Sequence, residues 1–122
     1  ILLLVSSVLA FEKIENPFEE KDKYHKSDTG EYSKAMNILE GLGLDGNKQG
    51  LKDFQSSHAD EIDSYRKDIG YSQTKVAYDG KLGYGTIKAL NNQWGIKTQA
   101  EEKKQREQER EQELIKQKRE LE

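Results

Sequence analysis

The chain has 122 residues, 35% of them charged and 33% hydrophobic, with one Pro, one Trp, one Met and no Cys. That length and hydrophobic content hold one small domain and not two, and without Cys there is no disulfide, thiol nucleophile or thiolate metal site. A net charge of −3 argues against a nucleic-acid partner, which requires a basic surplus to displace counterions from phosphate.

The chain opens on ILLLVSSVLA, residues 1–10, almost wholly apolar. Val8 and Ala10 stand where a secretory signal peptide carries small residues before its cleavage point. As a helix, ten residues rise only about 15 Å, half a bilayer core, so this stretch alone does not span a membrane. Two readings stand: a signal or membrane-proximal segment, and a buried strand or helix packed on a partner. Either favours export, with membrane proximity at the N-terminus. Residues 11–32 form an acidic stretch with the only proline, Pro17, and no period of 2 or 3.6. They read as a linker in which Phe11, Ile14 and Phe18 serve as docking points for another surface.

Helical spacing begins after the linker. Ala35, Ile38, Leu39 and Leu42 predict a helix over 33–45, with Ser33 as N-cap and the glycine-rich run 41–46 as its stop. A second helix is expected from Asn47 to Gly70, because Leu51, Phe54, His58, Ile62, Tyr65 and Ile69 recur at steps of three and four. His58 lies on that stripe and reads as a half-buried packing residue. Next, Val76, Tyr78 and Leu82 form short extended pieces around Asp79-Gly80, among glycines that signal tight turns. A third helix starts near Gly85-Thr86, turns Ile87, Leu90 and Trp94 inward, and stops at Gly95. The expected fold is mainly α: a small three-helix domain over 33–97 with a Gly-rich turn of the form DGxxGxxT, plus a long charged C-terminal helix.

That last element, residues 98–122, contains helix formers almost throughout. Pairs such as Glu102–Arg106, Lys103–Glu107, Lys116–Glu120 and Lys118–Glu122 sit at i,i+4, where each adds a few tenths of a kcal/mol. A coiled coil needs apolar a and d positions through several heptads, and only Leu114, Ile115 and Leu121 are present. The tail therefore reads as a solvated charge run or as an interaction arm with a small apolar end. Protein partners are expected through residues 1–18 and 101–122.

The stretch Ile69-Gly70-Tyr71, followed by Val76-x-Tyr78-Asp79-Gly80-x-x-Gly83-x-x-Thr86-x-x-Ala89-Leu90, resembles the core of the bacterial peptidoglycan-binding domain family. Leu51-x-x-Phe54-Gln55 is similar to that family's first helix. The resemblance covers about residues 46–97. The motif positions Asp79, Gly80, Gly83, Thr86, Ala89 and Leu90 are fold determinants: a turn with positive φ, a close backbone approach, a helix start and a small residue where helices cross. This chain departs from the family in three places. The stretch from Ser56 to Lys67 has no counterpart in compact members, Gln93-Trp94 stands in reversed order, and the final helix is missing or replaced by the tail.

Catalysis requires convergent titratable groups. His25 lies in the linker, His58 on a helix stripe, and no G-x-S-x-G surrounds any serine. Asp60, Glu61 and Asp63 read as a solvated face, and neither Asp45 nor Asp79 opens a calcium loop. The expectation is a protein that is not an enzyme, with no metal and no cofactor. Sugar rings are held on aromatic faces and by amide hydrogen bonds. The candidate ligand-binding residues are therefore Tyr71, Tyr78, Tyr84, Asn91 and Trp94, with Asn92 alongside; Trp94 and one or two of the tyrosines are equally readable as core. The resemblance implies a non-catalytic module that docks on cell-wall glycan or stem peptide, exported to the periplasm or cell envelope of a bacterium. The alternative is a scaffold subunit of a large envelope-spanning complex that uses the same fold for protein–protein contacts.

Overall fold

The structure, a computed structural model, describes residues 13–20, 23–71 and 80–121. The apolar segment 1–10, Phe11, Val76, Tyr78 and Asp79 lie outside the described residues. The architecture is mainly helical, as expected. In chain order it comprises β1 (Tyr24–His25), α1 (Gly30–Gly41), α2 (Lys48–Ser57), α3 (Ala59–Lys67), β2 (Leu82–Gly83) and α4 (Tyr84–Leu121). The two short strands pair antiparallel, Tyr24 opposite Gly83 and His25 opposite Leu82.

Helix α1 starts one turn before the expected Ser33. The Thr29 hydroxyl accepts the Tyr32 N–H at 3.3 Å and acts as the cap, and Glu31 in the first turn complements the helix dipole. The helix ends at Gly41, and the chain then turns through Gly43 at φ 87°. Asn47, near which the second helix is expected to start, caps α2, its Oδ1 accepting the Gly50 N–H at 2.9 Å.

The single helix expected from Asn47 to Gly70 is two. His58, at φ −119° and ψ 27°, separates α2 from α3. The Phe54 carbonyl there accepts both the His58 N–H and the Ser57 hydroxyl, and local side-chain bonds of this kind compete with helix continuation. The apolar stripe survives the break because one non-helical residue alters its direction without losing its face. Leu51, Phe54 and Ile62 are buried, while His58 is half-buried with its ring stacked on Phe54 at 4.2 Å.

The third helix does not stop at Gly95. Helix α4 runs unbroken from Tyr84 to Leu121. One glycine inside a helix costs about 1 kcal/mol relative to alanine, which the helix-forming residues on both sides outweigh. Just beyond Gly95, Lys97 donates to the Gly41 carbonyl and pairs with Glu101 at 3.9 Å, holding this turn against the end of α1. Thr86 lies inside the first turn of α4, near where the helix is expected to begin, and is 4% exposed.

Ala35, Ile38 and Leu39 of α1, Leu51 and Phe54 of α2, Ile62 of α3, Leu82 of β2 and Ile87, Ala89, Leu90 and Trp94 of α4 form one core. Ile14 completes it at 3% exposure, and Phe18 packs alongside. The stretch read as a linker is thus part of the fold, and Ile14 and Phe18 dock on their own domain. The clamp is specific: the Ile14 N–H donates to Asn91 Oδ1 and Asn91 Nδ2 donates to the Ile14 carbonyl, both at 2.9 Å. The Glu15 N–H donates to Glu31 at 2.6 Å; this bond and the Lys34 ammonium, the larger influence, hold the Glu31 carboxyl below its ordinary range. Asn91→Ala removes both Ile14 bonds and is expected to cost about 2 kcal/mol and to expose residues 13–20 to protease. Limited proteolysis checks this: an unchanged cleavage rate in that stretch excludes Asn91 as the clamp.

Candidate functional site

The two sequence stretches that carry the family resemblance meet at one buried side chain. Gln55, 1% exposed on α2, accepts the Gly80 N–H at 3.0 Å through its Oε1. Its Nε2 donates to the Lys81 carbonyl at 3.1 Å and to the Thr86 hydroxyl at 3.2 Å. Gly80 stands at φ 72°, a conformation that side-chain-bearing residues resist. The turn, β2 and the first turn of α4 are therefore fastened to α2 by one amide, which explains Gln, Gly and Thr at these spacings without invoking a ligand. Gly83 fits its expected role as well, since a Cβ there would approach the Lys23 carbonyl to 3.2 Å across the β1–β2 pair.

Above this tie lies a cleft of about 100 Å³, small beside the 300–1,000 Å³ of typical small-molecule sites. Gln55 and Thr86 contribute to its lining, and Tyr24, Tyr71, Tyr84 and Arg66 border it. Each ring has a cation nearby. The Arg66 guanidinium lies 4.0 Å from the Tyr71 ring centre, Lys81 Nζ 5.1 Å from that of Tyr24, and Lys88 Nζ 5.6 Å from that of Tyr84. Lys88 also donates to the Tyr84 hydroxyl at 3.4 Å, and this bond raises the Lys88 pKa above its ordinary value. Lys88 lies 4.9 Å from the Tyr65 ring centre too. Burial, reinforced by Glu61, pushes the Tyr65 hydroxyl upward. Glu20, Lys23, Arg66 and Lys81 among the lining residues sum to +2, in a chain whose total is −3. Half-exposed rings, guanidinium and ammonium donors and a polar floor suit a ligand that presents hydroxyls, amides or a carboxylate, held by one end or laid across the opening.

Of the expected ligand-binding residues, Tyr71 and Tyr84 come together at this cleft, and Tyr78 lies outside the described residues. Asn91 and Trp94 do not line it. Both amide atoms of Asn91 are engaged by Ile14, and Trp94 is 5% exposed with its indole lying over Gly41. Asn92 and Gln93 donate to Glu61 and fasten α4 to α3.

Tyr24 and Arg66 reach the site without having been expected there. Tyr24 belongs to the stretch read as a linker and arrives through the β1–β2 pairing, a contact between residues almost sixty positions apart. Arg66 lies on a helix face where a charged residue is ordinary. The histidines stand elsewhere: His25 bonds the Glu15 carbonyl at 2.8 Å and His58 stacks on Phe54. Among the described residues no group of three or more His, Asp or Glu side chains is placed to hold a metal ion, and no helix is long and apolar enough to cross a membrane.

The chain matches no family model, no curated protein and no solved structure.

Proposed function

We propose that this chain is a non-catalytic peptidoglycan-binding module of an exported bacterial envelope protein, docking cell-wall glycan or stem peptide at the cleft beside Tyr71 and Tyr84. The observation that supports the reading is the Gln55 tie, through which the two stretches that resemble the family, Gln55 on one side and Gly80 and Thr86 on the other, bond directly to one another. Two aromatic faces and a guanidinium beside that tie offer what sugar rings and peptide carboxylates require. The apolar start of the chain, with its signal-like end, supports export to the periplasm or envelope. No cofactor enters the proposal.

A second reading has one observation in its favour. The part of α4 beyond the core is exposed and carries the exposed apolar residues Leu114, Ile115 and Leu121, which suits a scaffold subunit of an envelope-spanning complex. Co-sedimentation of the whole chain with purified peptidoglycan sacculi separates the two readings. Retention at low salt is expected, with Tyr84→Ala combined with Arg66→Ala weakening the affinity for sacculi roughly tenfold, the effect of losing about 1.4 kcal/mol. A chain that stays in the supernatant at low salt rejects wall binding and leaves the scaffold reading.

A further inference from the structure

Arg66 is held at the cleft from two sides. Its guanidinium lies 4.0 Å from the Tyr71 ring centre, and a Cβ placed on Gly85 would stand 2.7 Å from the Arg66 Cγ and 2.8 Å from the Ile62 carbonyl. Only the lack of a side chain at Gly85 lets the arginine stem pass between α3 and the start of α4. Contact with a ring uses the flat face of a guanidinium and not its N–H edge, and that edge is the part that grips a carboxylate in two parallel bonds. Lys23 and Lys81 line the same cleft and are exposed. Among the described lining residues three cations therefore stand against one carboxylate, Glu20.

That set of groups discriminates between the two kinds of ligand a cell wall offers. A sugar ring lies flat on an aromatic face, and one face of Tyr71, Tyr24 and Tyr84 is already taken by Arg66, Lys81 and Lys88 respectively. A glycan strand also needs a long groove, whereas this cleft encloses about 100 Å³, room for the end of a chain and not for a run of sugars. Hydroxyls and acetamides carry no charge and gain little from a cationic wall, while a carboxylate gains charge-assisted hydrogen bonds.

We propose that the cleft takes the terminal carboxylate of a stem peptide, gripped by the Arg66 guanidinium with Lys81 and Lys23 adding charge, and that it does not bind the glycan strand. This rests on the wall-binding reading above and names the part of the wall that is read. Tyr71 then acts on Arg66, holding the guanidinium flat against its ring, and is a positioning residue for the contact with the peptide. Binding through charge in a cleft open to solvent weakens as salt is added.

Two measurements on the whole chain test it. The first titrates diacetyl-Lys-D-Ala-D-Ala, which ends in a free carboxylate, against the same peptide ending in a carboxamide, followed by the NMR shifts of the Gly83 and Gly85 amides. The free acid is expected to bind about tenfold more tightly, the effect of one charge-assisted pair. Arg66→Gln is expected to abolish that preference, and Lys81→Gln, at an exposed position, to cut it about threefold. Equal binding of the two peptides, or binding of neither, overturns the proposal. So does a fall shared equally by both peptides in the two variants, which is what a structural role alone gives. The second measurement is co-sedimentation with sacculi whose carboxyl groups are capped as methylamides, a treatment that leaves the glycan as it was. Affinity about tenfold weaker than for untreated sacculi is expected. Equal retention on both overturns the proposal and keeps wall binding, through glycan. Retention on neither rejects wall binding itself and so removes the stem peptide as the source of the carboxylate, whatever the titration shows.

Discussion

Trp94→Ala is expected to destabilise the domain by about 3–5 kcal/mol, the range for emptying a buried aromatic site. The indole is 5% exposed and sits over Gly41, where any side chain on that residue would overlap the ring. Helix α1 and helix α4 therefore meet around this one side chain. A domain of this size has total stability of about 5–15 kcal/mol, so the loss is a large share of it. The melting temperature is expected to fall by roughly 15 °C or more, given a shift of about 4–8 °C per kcal/mol for domains of 60–100 residues. Calorimetry checks this without relying on the signal of the only tryptophan. A variant that melts like the parent and loses only wall retention would instead make Trp94 a sugar platform and contradict its burial.

The second large effect concerns Gln55. Gln55→Ala is expected to cost about 3–5 kcal/mol, because it strands a buried amide N–H at Gly80 and removes the donor that meets the Lys81 carbonyl and the Thr86 hydroxyl. Each stranded buried group carries a penalty of about 1–3 kcal/mol, and water entering the space recovers part of it. Gln55→Met separates polar tie from packing, since it keeps the volume and removes every hydrogen bond. It is expected to retain most of the destabilisation in urea unfolding. A methionine variant as stable as the parent would falsify the claim that hydrogen bonding, and not bulk, holds the turn to α2. Under the wall-binding proposal the same variant also weakens sacculus retention, because Gln55 lines the same cleft as Tyr71 and Tyr84 and fixes the turn beside it.

Much of the local structure was legible because it depends on neighbours in sequence. The apolar spacing of Ala35, Ile38 and Leu39 marked a helix face, and those residues are fully buried. Asn47 was readable as a helix start, and it caps α2. Errors arose where two local rules competed. Ser33 was a plausible cap, yet Thr29 lay four residues earlier with Glu31 behind it, and the earlier cap took the helix. Gly95 was a plausible stop, but a glycine is a modest penalty and not a barrier, and the residues after it favour helix strongly enough to continue. His58 fitted the stripe so well that the break at its own backbone left no trace in the spacing.

The site was less legible. Tyr71 and Tyr84 border one cleft because they flank the glycine-rich turn. Tyr24 was missed because a short strand in a polar stretch has no periodicity, and only its pairing with Leu82-Gly83 carries it to the cleft. Residue type alone puts Asn91 and Trp94 among binding residues, and type does not distinguish an amide that holds a ligand from one that holds Ile14. Burial makes that distinction, and burial is a property of the assembled chain.

Composition and order alone determined that this protein is one small helical domain with a glycine-rich turn and a charged helical arm, because helix propensity, capping and turn chemistry act within a few residues. Tertiary structure decided that Ile14 packs into the core with Phe18 beside it, and that Gln55 fastens one motif to the other. Each of these depends on contacts between residues 25 or more positions apart. Such contacts form only where packing leaves a buried polar group one partner within reach, and no local spacing rule encodes that condition.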